Sequence, residues 1–259
     1  MSFELSISPE LGCRVSEGVA VVTLEAPQRR NAFTTELVDA LITLFDELES
    51  RPEVRAVVVT GAPPAFCAGA ALGHLASPGA TDDERRTNLM AIYQGFLRVA
   101  RSPLATVAAV NGPAVGAGMN LALACDLRVA GRSARFDARF LALGLHPGGG
   151  HTWMAQRAMG TQAATAALLF GQRLDAMAAL ACGLVWEVAE DEALVPRCVE
   201  LATLAASMDP ELVQRTKATL AVTAGLGTLD EAVAYELEVQ VWSMSQPAFR
   251  DGPVGRGSM

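Results

Sequence analysis

The 259-residue chain has a single lysine, Lys217, and only two tyrosines, and its five cysteines form no C-x-x-C pair. Spread as Cys13, Cys67, Cys125, Cys182 and Cys198, they suit neither a zinc site nor a disulfide framework. Buried thiols in a reducing compartment are the expectation. No G-x-S-x-G elbow is present, which removes the common serine-hydrolase pattern. Gly112, Gly116 and Gly118 are not spaced as G-x-G-x-x-G, so a dinucleotide-binding turn is excluded there. No apolar run has membrane-spanning length, and the first residues, Met1 to Ser6, have no basic region or apolar stretch of a signal peptide. A cytoplasmic protein is expected. A formal charge of -8 argues against nucleic acid or an anionic membrane as partner. It leaves room for a small anionic ligand met by local arginines.

What is there is apolar and aliphatic. The chain is 51% hydrophobic and 19% charged, which is a globular balance, and with 5% aromatics the core must be built from Ala, Val and Leu. Strands are expected over 18–24, 55–60, 105–110 and 127–130, each a short β-branched run closed by Gly or Pro. Thr34 or Thr35 can cap a helix with Leu37, Leu41, Leu44, Phe45 and Leu48 on one face. Leu89, Met90, Tyr93, Phe96 and Leu97 mark a second helical stripe over 83–101. Alternation at this interval argues an α/β fold of βα repeats. Beyond Thr161 the pattern is helical, over 161–170, 175–182, 195–207, 209–224 and 229–243.

Two strand-to-helix turns carry the chemistry. Phe66-Cys67-Ala68-Gly69-Ala70-Ala71-Leu72 and Asn111-Gly112-Pro113-Ala114-Val115-Gly116-Ala117-Gly118-Met119-Asn120 each end an apolar run with small residues and open into a helical pattern. Small side chains let a ligand reach the backbone, and N–H groups at a helix start favour negative charge. Two such groups on one carbonyl oxygen would stabilise an enolate. The alternative is a pair of close-packed turns serving only helix–sheet contact.

This pair of turns resembles the oxyanion hole of the crotonase (enoyl-CoA hydratase/isomerase) superfamily. Phe66 to Leu72 is similar to the segment "FSAGADL", and Asn111 to Val129 is similar to "NGxAxGGGxELALACDLRIA". Pro27-Gln28-Arg29-Arg30-Asn31-Ala32-Phe33 resembles the coenzyme A-contacting "RPexxNAL", and Leu143 to Gly150 resembles "LGxxPGxGG". The four motifs run in register through about residues 15–225.

The resemblance implies an α/β crotonase-like spiral of ββα turns with a C-terminal helical trimerisation region. Residues 1–195 would form the spiral core, and 196–259 a helical region packing on the core and on neighbouring subunits, in a homotrimer or dimer of trimers. It implies an acyl-CoA thioester as substrate and no metal or redox cofactor. The Ala68 and Ala117 N–H groups would form the oxyanion hole. Arg30, Ala32, Ala70, Ala71, Leu72 and Gly116 would line the substrate, and Lys217 would meet the coenzyme A phosphates.

The departures are as informative. Hydratases of that family place two glutamates where this chain has Asn120 and Phe140. Asn120 can hold water but cannot take its proton, and Phe140 can do neither. Gly148 stands where some branches carry aspartate, and Ala71 replaces the aspartate of "AGADL". Standard hydration is therefore not expected. The chain is either an enzyme with another base or a non-catalytic acyl-CoA binding protein. His146 and His151, flanking Pro147 to Gly150, are candidate bases, the alternative being solvent exposure or capping of a helix beginning near Thr152. His74, which could face an acyl tail, is expected at the surface or in packing, Trp153 in the core, Arg29 to be solvated, and Asp137 to be structural, opposite in facing to Phe140 if that stretch is extended.

Overall fold

A computed structural model describes residues 2–71 and 79–250. The chain opens with an antiparallel pair, β1 (Ser2–Ser8) and β2 (Leu11–Ser16), and β2 then pairs with β3 (Val19–Leu24). From β3 onward the sheet is parallel. β4 (Ala56–Gly61), β5 (Ala105–Val110), β7 (Leu127–Gly131) and β10 (Glu187–Ala189) follow, in the order β1-β2-β3-β4-β5-β7-β10. A second, three-stranded sheet joins β6 (Pro113–Val115), β8 (Arg135–Asp137) and β9 (Leu174–Asp175) in the order β6-β8-β9. Helices connect the parallel strands, as such crossovers require: α1 (Thr35–Glu49), α2 (Asp82–Ala100), α3 (Ala117–Ala124), α4 (His151–Leu169) and α5 (Ala176–Ala181). Four more close the chain: α6 (Leu194–Ala206), α7 (Pro210–Thr223), α8 (Leu229–Met244) and α9 (Pro247–Arg250).

The core lies on both faces of the large sheet. Every residue of β4 is buried, which is why that run shows no polar alternation. One face takes the stripe Leu37, Leu41, Leu44, Phe45 and Leu48 of α1, whose N-terminus is capped by the Thr34 hydroxyl accepting from the Leu37 N–H at 3.3 Å. Each such side chain, fully buried, contributes about 1.5–3 kcal/mol. On the other face Leu194, Cys198, Ala202 and Ala206 of α6 pack against Val19, Ala56, Val58, Val107 and Val129. α6 thus belongs to the core, and a division between residues 195 and 196 falls within its first turn.

The β1–β2 pair was not among the expected strands. The helices expected near Thr152 and over 161–170 are both present within α4, divided at Gly160 by a non-helical φ of 73°. Cys13, Cys67, Cys125 and Cys198 are free and buried, and Cys182 is half-buried. Burial pushes the Cys67 and Cys125 thiols up to about 12. Among the described residues no helix is long and apolar enough to cross a membrane. Neither α7 nor α8 buries a single residue, and Leu229, Val233, Leu237, Val241 and Met244 of α8 lie exposed.

Candidate active site

Backbone contact brings the two small-residue turns together. The Cys67 N–H donates to the Pro113 carbonyl at 3.1 Å, and the Val115 N–H donates to the Cys67 carbonyl at 3.0 Å. A Cβ added at Gly118 would stand 2.0 Å from that Cys67 oxygen, so only glycine lets α3 approach so closely. One built on Gly69, whose φ is +99°, would meet the Val115 oxygen at 2.7 Å and the Ala117 nitrogen at 3.6 Å.

Asn31 holds the first turn in place. Its buried side chain accepts from the Ala26 N–H at 2.9 Å and donates to the Ala62 and Ala65 carbonyls at 2.8 and 2.7 Å.

Which amides stay free follows from this pairing. The Ala68 N–H donates to the Arg30 carbonyl at 2.9 Å, so the expectation of a free donor at Ala68 is not met. Phe33 donates to the Gly69 carbonyl at 2.7 Å and accepts from the Ala71 N–H at 2.8 Å. Strand groups alternate in direction, so the Ala70 N–H points away from Phe33, and among the described residues it has no acceptor. Ala117 is the first residue of α3, where an N–H has no partner within the helix.

A cavity of about 390 Å³ opens on both turns. Ala68, Ala70, Gly116, Ala117, Asn120, Phe140 and His146, all singled out from sequence, line it together. Leu89, Ile92, Val115, Leu143 and Leu145 make it mostly apolar, with Tyr93 and Arg139 completing the polar groups. No aspartate or glutamate lines it among the described residues.

The two positions without carboxylates meet at one histidine. His151 Nδ1 lies 2.5 Å from Asn120 Oδ1, and Asn120 Nδ2 donates to the Gly148 carbonyl at 3.1 Å. An amide oxygen only accepts, so Nδ1 carries the proton and Nε2 is bare. The Phe140 ring meets the imidazole edge-on, with centroids 5.0 Å apart. His151 is 1% exposed, its Nε2 is without a partner, and it is not among the cavity's lining residues. The expectation of a base at His151 is therefore not met; the ring is a strut behind Asn120.

Burial lowers the His151 pKa to about 4. The unfolded chain protonates below about 6.5 and the folded one does not until about 4, so stability is complete above 6.5 and lost as pH falls through that window. The loss is roughly 3 kcal/mol. Urea unfolding from pH 7 to 4 should show the wild type losing this much relative to His151→Gln. A gap that does not move with pH would contradict it.

His146 differs from its neighbour in being exposed at the cavity. Its Nδ1 lies 2.7 Å from the Pro147 carbonyl, which can only accept, so Nε2 is left as a lone pair able to take a proton.

The remaining sequence candidates are more distant. Leu72 and His74 lie outside the described residues. Ala32 is buried beside the Arg29–Glu10 ion pair, whose arginine also donates to the Ala32 carbonyl at 3.1 Å; Arg29 is thus not simply solvated. Arg30, at φ +55°, is exposed. Lys217 pairs with Asp126 and donates to the Leu104 carbonyl, both at 2.7 Å, so it tethers α7 to the core. Asp137 is paired with Arg139 and Arg173 as a structural anchor, and Phe140 follows in helical rather than extended backbone. Trp153 is exposed with Arg157 stacked on its ring, against the expectation of packing in the core.

Tyr93 was missed as a site residue. It sits in a stripe of apolar neighbours on α2, and no local signal separates its hydroxyl from ordinary packing.

Comparisons with known proteins identify the family of the chain. A Mycobacterium tuberculosis protein described as a probable enoyl-CoA hydratase is 48% identical over 240 residues, covering 91% of this chain and 92% of that one. The 1,2-epoxyphenylacetyl-CoA isomerase of Escherichia coli is 32% identical, with 92% and 91% covered. The crystal structure of an enoyl-CoA hydratase from Bacillus anthracis superposes with a TM-score of 0.86 at 26% identity, over 93% and 96% of the chains. The enoyl-CoA hydratase/isomerase family profile matches residues 14–255. The chain belongs to the enoyl-CoA hydratase/isomerase family.

Proposed function

We propose that this protein binds an acyl-CoA thioester in the cavity, with the Ala70 and Ala117 N–H groups on the thioester oxygen, and acts on it through the enolate. The observation that carries the reading is the pair of unpartnered amides on one apolar cavity. Charge that develops on the oxygen when the α-proton leaves would be met by donors already in place. His146 Nε2, at the same cavity, is the group that takes the proton.

Hydration by two carboxylates is not part of this reading. Asn120 is occupied between His151 and Gly148, and Phe140 has no proton to move. A second reading, a binding protein without chemistry, is favoured by the same absence of carboxylates from the described lining.

One experiment separates them. Butyryl-CoA in D2O, followed by NMR, should lose its α-hydrogens faster with the protein than without it. Crotonyl-CoA should not be hydrated at rates typical of the two-glutamate enzymes. Binding of butyryl-CoA with no exchange would leave the second reading; no binding at all would remove both.

The helical tail also fits self-association. The exposed α8 residues 229, 233, 237 and 241 recur every four positions, which places them on one face. A homotrimer or dimer of trimers burying that face is the proposed assembly, and sedimentation equilibrium measures it directly.

A further inference from the structure

Among the described residues lining the cavity, Arg139 alone carries a permanent charge. It follows β8 by two residues, and β8 is paired with β6, Asp137 opposite Val115. The Gly116 N–H donates to the Asp137 carbonyl at 3.0 Å, so this segment runs alongside the turn that leads into Ala117. Arg139 has a φ of +52°, a left-handed conformation that a non-glycine residue adopts at a cost. Arg30 and Asn31, which share it at φ +55° and +58°, shape the other turn. Strain of this kind gathers at ligand sites, and here it lies between Ala138 and Phe140, both in the same lining.

The charge is not cancelled locally. Asp137 takes Arg139 Nε and Arg173 Nε, each at 3.1 Å from the same oxygen, so two guanidinium groups share one carboxylate. The cluster keeps one positive charge beside a cavity that has no aspartate or glutamate in its described lining. Arg139 meets Asp137 through Nε, and its terminal nitrogens make no hydrogen bond among the described residues. The planar fork they form fits a carboxylate with two parallel bonds. An apolar wall with one such group suits a chain that is aliphatic along its length and anionic at its end.

Given the acyl-CoA reading above, we infer that Arg139 forms an anion subsite for the far end of the acyl group, so that the preferred ligands are thioesters of dicarboxylic acids. The distal carboxylate would accept from the guanidinium while the thioester oxygen accepts from Ala70 and Ala117. The Arg139 side chain is 44% exposed, so water and salt screen the contact and its effect on affinity is modest.

The test is calorimetry on the full chain at low salt, pairing glutaryl-CoA with pentanoyl-CoA and adipyl-CoA with hexanoyl-CoA. The members of a pair share one chain length and differ in the terminal carboxylate. The wild type should bind one of the two dicarboxylic thioesters about 3–10-fold more tightly than its partner, the range for a partly exposed charged pair. Arg139→Gly removes the guanidinium and suits the left-handed backbone, and Asp137 keeps Arg173, so the variant should fold. In it the ratio should fall to about one. A wild-type ratio of one at both lengths, or a ratio unchanged in Arg139→Gly, overturns the assignment while leaving the acyl-CoA reading intact. Equal weakening of both members of a pair in Arg139→Gly would put the guanidinium on the coenzyme A phosphates and overturn it as well. Failure of all four thioesters to bind overturns both readings.

Discussion

Ala117→Pro should slow enzyme-dependent α-hydrogen exchange of butyryl-CoA by about 10²–10³-fold, the usual effect of removing one oxyanion donor. The substitution is unusually clean because Ala117 is the first residue of α3. Proline is well tolerated at that position, where its missing N–H was unpaired within the helix in any case. Gly116 before it, at φ 50° and ψ -113°, is outside the right-handed region that a following proline disfavours. The helix should therefore keep its bonds and the protein its thermal midpoint, while the amide hydrogen is gone. Exchange that continues at the wild-type rate in a folded Ala117→Pro protein would remove this amide from the chemistry. The parallel change at Ala68, whose N–H already bonds Arg30, would unsettle the turn instead and is the wrong place to ask the question.

His146→Ala is expected to lower the same exchange by about 10²–10⁴-fold, the range for a positioned proton-transfer group. The side chain is exposed, so its removal should not alter stability. Added imidazole should restore part of the rate, because the space it vacates opens on the cavity. Loss of rate without rescue, together with a shifted unfolding midpoint, would mean that the residue only shapes the loop. An unchanged rate would leave the cavity without its base.

Much of the layout was legible because periodicity reports burial. The α1 stripe and the fully buried β4 announced themselves, since one faces a sheet and the other is covered on both sides. β1 and β2 did not, because β1 lies at the sheet edge and both strands, exposed along one face, mix charges with apolar residues. The two turns could be read from their small residues, but the free amide in the first could not. It depends on Arg30 and Phe33, remote in sequence, accepting or donating around it. His151 looked like a base for a similar reason: a sequence shows a titratable ring, not the 2.5 Å contact to Asn120 or the burial that keeps it neutral. Tyr93 was hidden by good company, one phenol among aliphatic neighbours.

The close seat of Gly118 on the Cys67 oxygen has a wider consequence. Because main chain rests on main chain there, the spacing of the Ala70 and Ala117 amides does not depend on the side chains that line the rest of the cavity. Positions 93, 120, 140 and 148 surround that grip without setting it. Under the proposed function, a lineage can therefore exchange one reaction for another at those four places while the proposed hold on the thioester is inherited intact.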